Sequence, residues 1–156
     1  DFAEASGLQR LDEPVAVDLA GRRALLMHGD TLCTDDDAYQ AFRTQVRDPA
    51  WQAAFLARPL AERKAIIAQV REHSEATKQA KAADIMDVNP GEVDTTFRKH
   101  DCRLLIHGHT HRPATHRLTV DGQACERWVL PDWHGNAPGI VARDGTLAFV
   151  DFSEAG

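Results

Sequence analysis

The chain has 156 residues, the length of one domain with a core of its own, and is 43% hydrophobic and 27% charged with a formal net charge of −6. That balance excludes a disordered chain, and an acidic sequence without basic-aromatic interleaving argues against nucleic-acid binding. No run of 18 apolar residues offers a membrane-spanning helix, and the three dispersed cysteines, Cys33, Cys102 and Cys125, have no metal-ligand spacing. They fit packing positions in a reducing cytoplasm better than a disulfide framework or a structural zinc site.

In chain order, Val15 to Leu19 alternates apolar and polar residues, Ala20-Gly21-Arg22-Arg23 reads as a turn, and Ala24 to Met27 as a second strand, so a hairpin is expected. That second strand runs straight into His28-Gly29-Asp30. An acidic N-cap region opens a helix from Asp35 to Arg47. Pro49 and Pro59 divide the next stretch into short helices, with Trp51, Phe55, Leu56 and Leu60 near helical spacing. Leu60 to Ala83 is the longest helical candidate, with Ile66, Ile67 and Val70 on one face. Pro90-Gly91 breaks the pattern and Glu92 to His100 makes a short helix. The texture then turns to strands: Arg103 to Ile106, His116 to Val120, Arg127 to Leu130, Gly139 to Ala142 and Thr146 to Phe152, with Asp121-Gly122 and Asp144-Gly145 as hairpin turns. There are no internal repeats and no low-complexity segment.

Charge is uneven along this order. Ala41 to Lys81 carries eight Lys and Arg against four Asp and Glu, net +4, which leaves −10 for the remainder. A basic insert on an acidic body suits a phosphate-rich or anionic-membrane partner; a solvated helical surface is the plain alternative. The many large apolar residues of the insert, Trp51, Phe55, Leu56, Leu60, Ile66 and Ile67, are explained either by core packing or by a channel for acyl chains.

The chemistry concentrates at Leu104-Leu105-Ile106-His107-Gly108-His109-Thr110-His111-Arg112-Pro113. A buried strand feeds a Gly-His-Thr-His turn, and three imidazoles fall on alternate residues. Each can offer a neutral nitrogen to a divalent metal, and strand ends are where α/β proteins place chemistry. His28 ends another apolar run in the same way. On its own it would be an ordinary turn histidine; beside the first motif it becomes a second ligand candidate.

These blocks resemble the calcineurin-like metallophosphoesterases, whose C-terminal half carries a Gly-His block and then a Gly-His-x-His block. The ordered set His28-Gly29-Asp30-Thr31-Leu32-Cys33-Thr34-Asp35-Asp36, Tyr39-Gln40-Ala41-Phe42-Arg43, Ile85-Met86-Asp87-Val88 and Ile106 through Pro113 is similar to the UDP-2,3-diacylglucosamine diphosphatase family of Gram-negative lipid A synthesis, from about Phe2 to Phe152. The resemblance implies an α/β (α+β) fold, part of a four-layer α-β-β-α sandwich with a helical lid insertion at about residues 37–100. The family's N-terminal metal blocks, an Asp-x-His, a Gly-Asp and a Gly-Asn-(His/Arg)-Asp, do not occur ahead of His28, and Asp1 to Leu8 resembles the segment that follows them. Residues 1–156 are therefore expected to be the C-terminal part of one metallophosphoesterase domain, with the N-terminal half missing.

The resemblance implies the rest of the site. His28, His109 and His111 correspond to metal ligands, the metal being Mn²⁺, two per complete site. His109 also corresponds to a residue close to the substrate phosphate, with a general-acid role as the alternative to ligation. Asp36, Ser74, Lys78 and Lys81, with His109, correspond to substrate contacts, and Arg71 shares the helix face of Ser74, Lys78 and Lys81. The implied reaction is attack of a metal-activated water on the α-phosphorus of UDP-2,3-diacylglucosamine, giving UMP and 2,3-diacylglucosamine 1-phosphate, at a cytoplasmic location peripheral to the inner membrane. Two other readings stay open: a catalytically incomplete remnant that binds nucleotide or lipid, and a metallophosphoesterase with another phosphodiester substrate. Asp30 is expected to orient the His28 turn, His107 to pack or support the ligands, Trp133 to lie in the core and His134 to be solvated. Pro131 stands where the family often has Gly.

Overall fold

Three two-residue turns fold the strands into hairpins. Ala20-Gly21, Asp121-Gly122 and Asp144-Gly145 all have positive φ at both positions, 53° and 79°, 50° and 77°, and 50° and 73°. That backbone matches the twist of the flanking strands, and Gly or Asp adopts it at little cost. The first turn is braced by Asp18, whose carboxylate accepts from Gly21 N at 2.9 Å. The structure, a computed structural model, describes residues 2–9, 11–80, 87–133 and 138–152, and within these not the side chains of residues 2, 73 and 75–80.

The chain divides into two compact units, Asp1–Asp30 with Pro90–Gly156, and Thr31–Asn89. In the first, a short helix α1 (Phe2–Ser6) precedes strands β1 (Val15–Leu19) and β2 (Arg22–Met27). Then come a helix, here α5 in chain order (Pro90–His100), and strands β3 (Leu104–His107), β4 (Ala114–Val120), β5 (Gln123–Val129), β6 (Pro138–Arg143) and β7 (Thr146–Asp151). The five-stranded sheet has the order β1-β2-β3-β5-β4. It is mixed: β2 and β5 run parallel to β3, while β1 and β4 are antiparallel hairpin partners at the edges. The central strand β3 is buried at every position, which is why it reads as an unbroken apolar run rather than an alternation.

Register sorts the side chains of the inner strands onto two faces. Ala24, Leu104 and Ile106, with Trp128, share one face and form a buried cluster with Leu147 of β7, so the separate β6–β7 hairpin covers that side. Leu25, Leu105, Cys125 and Val129 are buried on the other face. Helix α5 buries Val93 and Phe97 and lies against β4, and its Arg98 makes a two-pronged bond to Asp121 in the β4–β5 turn, at 2.9 and 3.0 Å. Each large aliphatic chain buried in such a core contributes roughly 1.5–3 kcal/mol.

The second unit holds a 3₁₀ turn at Asp30–Leu32 on its border, then α2 (Asp37–Arg47), α3 (Pro49–Leu56) and α4 (Leu60–Ala80). Two aspartates start the first two helices: Asp36 accepts from Tyr39 N at 3.0 Å and Asp48 from Trp51 N at 2.8 Å, with Pro49 in the first turn of α3. Each such cap is worth about 1 kcal/mol. The ends of the unit are tied together, since Asn89 N donates to Leu32 O at 2.8 Å and Asn89 Nδ2 to Asp35 at 2.8 Å. Trp51 and Phe55 stack with ring centroids 5.1 Å apart. Leu56, Leu60 and Ile67 stay exposed.

The expected strands and hairpins are present, as are the helices after Asp35, Pro49 and Pro59. Helix α5 begins at Pro90 rather than Glu92, because proline suits the first helical turn, and it belongs to the sheet unit. Helix α1 was not expected. Trp133 corrects the sequence-based expectation of a core residue: it is 70% exposed, its indole N–H donating to Pro138 O at 2.6 Å. His134 lies outside the described residues. What the structure establishes is a mixed α/β arrangement on a mixed sheet. Among the described residues, no helix is long and apolar enough to cross a membrane.

Candidate functional site

Two parallel neighbours, β2 and β3, end side by side, with Met27 opposite His107. The chains leaving them carry the candidate histidines. Gly108 N donates to His28 O at 3.0 Å and Leu130 N to His107 O at 2.7 Å, so three strand ends are stitched together. The outcome is a pair: the rings of His28 and His109 lie with centroids 5.0 Å apart, inclined at 57°. Sequence separation of 81 residues is bridged by one register.

The surroundings hold the ring of His28 and shape the backbone of His109. His28 Nδ1 lies 3.2 Å from Oδ1 of Asp30, a carboxylate buried with only 1% of its surface exposed. This is the arrangement in which a carboxylate fixes an imidazole and turns its other nitrogen outward, the orienting role expected of Asp30. His28 N donates to the Glu13 carboxylate. His109 sits at φ 64° and His111 at φ 51°, with Thr110 N bonded back to Gly108 O at 2.8 Å. Left-handed backbone at a non-glycine residue costs on the order of 1 kcal/mol or more and collects at functional sites. His111 stands with Nδ1 4.0 Å from Asp132 Oδ2.

Gly29 and Gly108 play different parts. Gly29 has φ 105°, and a β-carbon there would stand 2.7 Å from His107 Nδ1; at Gly108 the nearest atom would be His28 O, at 3.7 Å. Of the two, Gly29 makes the close approach to the protein's own atoms. His107, fully buried, has Nδ1 2.9 Å from Gly108 O and Nε2 3.0 Å from Arg127, itself only 8% exposed. Arg127 was not singled out from the sequence, although its signal is there: it occupies the inward parity between Cys125 and Val129, where an apolar residue would be expected.

The other candidates belong to the helical unit. Asp36, nearly buried, caps α2. Ser74 and Arg71 are exposed on α4. The side chain of Lys78, and Lys81 altogether, lie outside the described residues. A cleft of about 730 Å³ opens where Arg22, Arg23 and Leu104 begin their strands, the end of the sheet away from the histidines, and is lined also by Arg103, Arg117 and Glu126. There Arg22 meets Glu126 at 2.8 Å and holds its carboxyl below the usual range.

The His28–His109 pair, with two nitrogen donors and a supporting carboxylate, suits a borderline divalent metal by donor type. It is an incomplete set: among the described residues, no group of three His, Cys, Asp or Glu side chains is gathered closely enough to hold a metal ion.

No protein-family model matches the chain. Curated relatives do. A UDP-2,3-diacylglucosamine hydrolase of Aromatoleum aromaticum is 58% identical over 137 residues, 88% of this chain and 56% of the relative. One of Bordetella pertussis is 50% identical over 156 aligned positions, 96% of this chain and 60% of the relative. One of Cellvibrio japonicus is 54% identical over 133 residues, 85% and 55%. The matches take in the strand ends that carry the histidine pair, and the chain is a homologue of the UDP-2,3-diacylglucosamine hydrolases that spans a little over half the length of these relatives.

Proposed function

We propose that this chain is the C-terminal part of an enzyme that hydrolyses UDP-2,3-diacylglucosamine to UMP and 2,3-diacylglucosamine 1-phosphate in lipid A biosynthesis. The supporting observation is the convergence of His28 and His109 at adjacent parallel strand ends, in a sequence half identical to proteins of that name. In the intact domain, on this reading, residues outside this chain complete a calcineurin-like four-layer sandwich and its metal site, with the helical unit from about residue 37 to residue 89 forming the lid region.

The metal, which we take to be Mn²⁺, would supply Lewis acidity toward the phosphoryl oxygens and an acidified water. The chain's own residues do the rest. Asp30 keeps the Nδ1 edge of His28 occupied, so that Nε2 is the nitrogen offered as a ligand; His109 and His111 are the further ligands. Water attacks the α-phosphorus, the bond to the bridging pyrophosphate oxygen breaks, and the sugar phosphate leaves. His109, at the same turn, faces the substrate phosphate. Asp36 accepts from sugar or uracil groups and Ser74 donates and accepts, while Lys78 and Lys81 meet the pyrophosphate as point charges. Leu56, Leu60 and Ile67 give the acyl chains an apolar surface, worth about 0.8 kcal/mol per buried methylene. The basic helices rest against the cytoplasmic face of the inner membrane as a peripheral contact.

A second reading has its own support: without a three-donor group among the described residues, the chain by itself binds nucleotide or lipid and does not hydrolyse. One assay separates the two. Release of UMP from UDP-2,3-diacylglucosamine is followed by phosphorus NMR with Mn²⁺ present, for this chain alone and after addition of the segment that the relatives carry beyond the match. Hydrolysis in the reconstituted mixture supports the enzyme; substrate binding without turnover in both supports the second reading.

A further inference from the structure

The His107 ring is sealed inside the sheet unit, yet its two nitrogens face groups of opposite kind. Nδ1 is 2.9 Å from Gly108 O, a carbonyl that can only accept. Nε2 is 3.0 Å from Arg127 Nη1, a guanidinium that can only donate and does not lose its proton. One protonation pattern satisfies both: Nδ1 carries the proton and donates to Gly108 O, while Nε2 is bare and accepts from Arg127. An imidazolium, or the opposite tautomer, would press N–H against N–H.

Gly108 O is the pivot of the histidine turn. It takes the His107 ring proton and also the amide of Thr110 at 2.8 Å, while Gly108 N is tied to His28 O at 3.0 Å. The plane of the peptide joining Gly108 to His109 is therefore set on its oxygen side by a buried ring. His109, in left-handed backbone at φ 64°, departs from that plane. Behind the ring, Gly29 approaches so closely that no side-chain carbon would fit, which couples the same ring to the loop bearing His28.

We propose that Arg127, acting through the His107 tautomer, is a positioning residue that fixes the relative orientation of His28 and His109. Neither residue touches substrate in this scheme; both act through the Gly108 peptide. The cost of the arrangement supports the assignment. Burying a guanidinium costs several kcal/mol before pairing, and Arg127 stands on a face where its neighbours Cys125 and Val129 are buried and apolar. The inference rests on the reading of His28 and His109 as the functional pair, but its test does not depend on turnover.

The test is long-range proton–nitrogen NMR of the histidine rings in the chain labelled with ¹⁵N-histidine, at a single pH of about 7.5. In the unsubstituted chain, His107 is expected as one tautomer, protonated on Nδ1; an Nε2-protonated or charged His107 overturns the proposal without any variant being made. Arg127→Met removes the donor and is expected to give His107 mixed tautomers and to shift the rings of His28 and His109, with the resonances of the β6–β7 hairpin unchanged. Arg127→Lys, which restores a cationic donor, is expected to return the His107 tautomer and move both rings back toward their original positions. Arg117→Gln, on exposed β4, serves as the control and leaves all three rings where they were. Unmoved His28 and His109 rings in a folded Arg127→Met chain, or shifts of equal size throughout the sheet unit, overturn the assignment. Loss of hydrolysis with unmoved rings would bear on the proposed function and not rescue this one.

Discussion

A side-chain carbon on Gly29 would stand 2.7 Å from Nδ1 of His107, and the backbone there has φ 105°. Both facts oppose any other residue: the first demands that a buried ring move, the second that an L-amino acid adopt a conformation it rarely holds. Gly29→Ala is therefore expected to lower stability by about 1–3 kcal/mol and to disturb the His28 loop. Gly108→Ala is the internal comparison, since its β-carbon would meet only His28 O at an ordinary 3.7 Å. That variant is expected to be within about 1 kcal/mol of the parent, with either sign. Urea denaturation of the two side by side decides the matter; equal losses would mean that the close approach at Gly29 is not what constrains this turn.

The difference between these two glycines also shows what the sequence could and could not reveal. Gly108 stands inside the motif that draws attention, and nothing in the linear string says that its neighbour in the other loop bears the steric load. What was legible were features with local causes. Asp-Gly pairs enforce their turns, Asp36 and Asp48 cap helices, and an unbroken apolar run marks β3 as central. The convergence of His28 and His109 was legible because each follows an apolar run. Features set by distant packing were not. Trp133 reads as core by residue type, but it follows the last residue of β5 by four positions and is exposed. Arg127 reads as surface by type, but register with β3 turns it inward against His107. Asp36 caps α2, a role that local chemistry makes legible in the sequence.

Acid should weaken the sheet unit through a pair that spans a strand. Arg22 on β2 and Glu126 on β5 meet at 2.8 Å across β3, with side chains 33% and 27% exposed. The hydrogen bond from Arg22 is the main cause of the depressed Glu126 carboxyl, opposed by partial burial. A carboxyl that titrates lower when folded than unfolded stabilises the fold at pH above its unfolded value, near 4.5. That contribution disappears as pH falls through the folded value. Because the pair is partly solvated, its worth is below about 1 kcal/mol. Glu126→Gln should therefore be slightly less stable than the parent at neutral pH and converge with it in acid. Denaturation midpoints measured across the acid range would show the convergence; a constant difference at every pH would assign the loss to packing instead.

The three thiols should be silent in the native chain. Cys33, Cys102 and Cys125 are exposed by only 2%, 4% and 4%, none is bridged in a disulfide, and burial pushes the Cys125 thiol up, further from the reactive thiolate. A chromogenic disulfide reagent is expected to label none of them in a fast phase and all three after unfolding. A rapid native phase assigned to Cys125 would show that the β4–β5 region opens more readily than its packing indicates.

The helical unit offers a prediction in which stability and binding part company. Leu56, Leu60 and Ile67 are 62%, 58% and 41% exposed, so replacing all three with serine removes little buried surface and should change stability by no more than about 0.5 kcal/mol per site. If these residues receive acyl chains, the same change should reduce the affinity gained per added methylene, which is about 0.8 kcal/mol when a methylene is fully buried. Calorimetric titration of UDP-2,3-diacylglucosamine with short and with long acyl chains reads that increment directly, free of any need for turnover. In the parent the longer chains should bind more tightly, and in the triple variant the advantage should fall at least about tenfold, equivalent to some 1.4 kcal/mol. An increment that survives the substitutions would place the acyl chains elsewhere and leave these three side chains as exposed surface of α3 and α4.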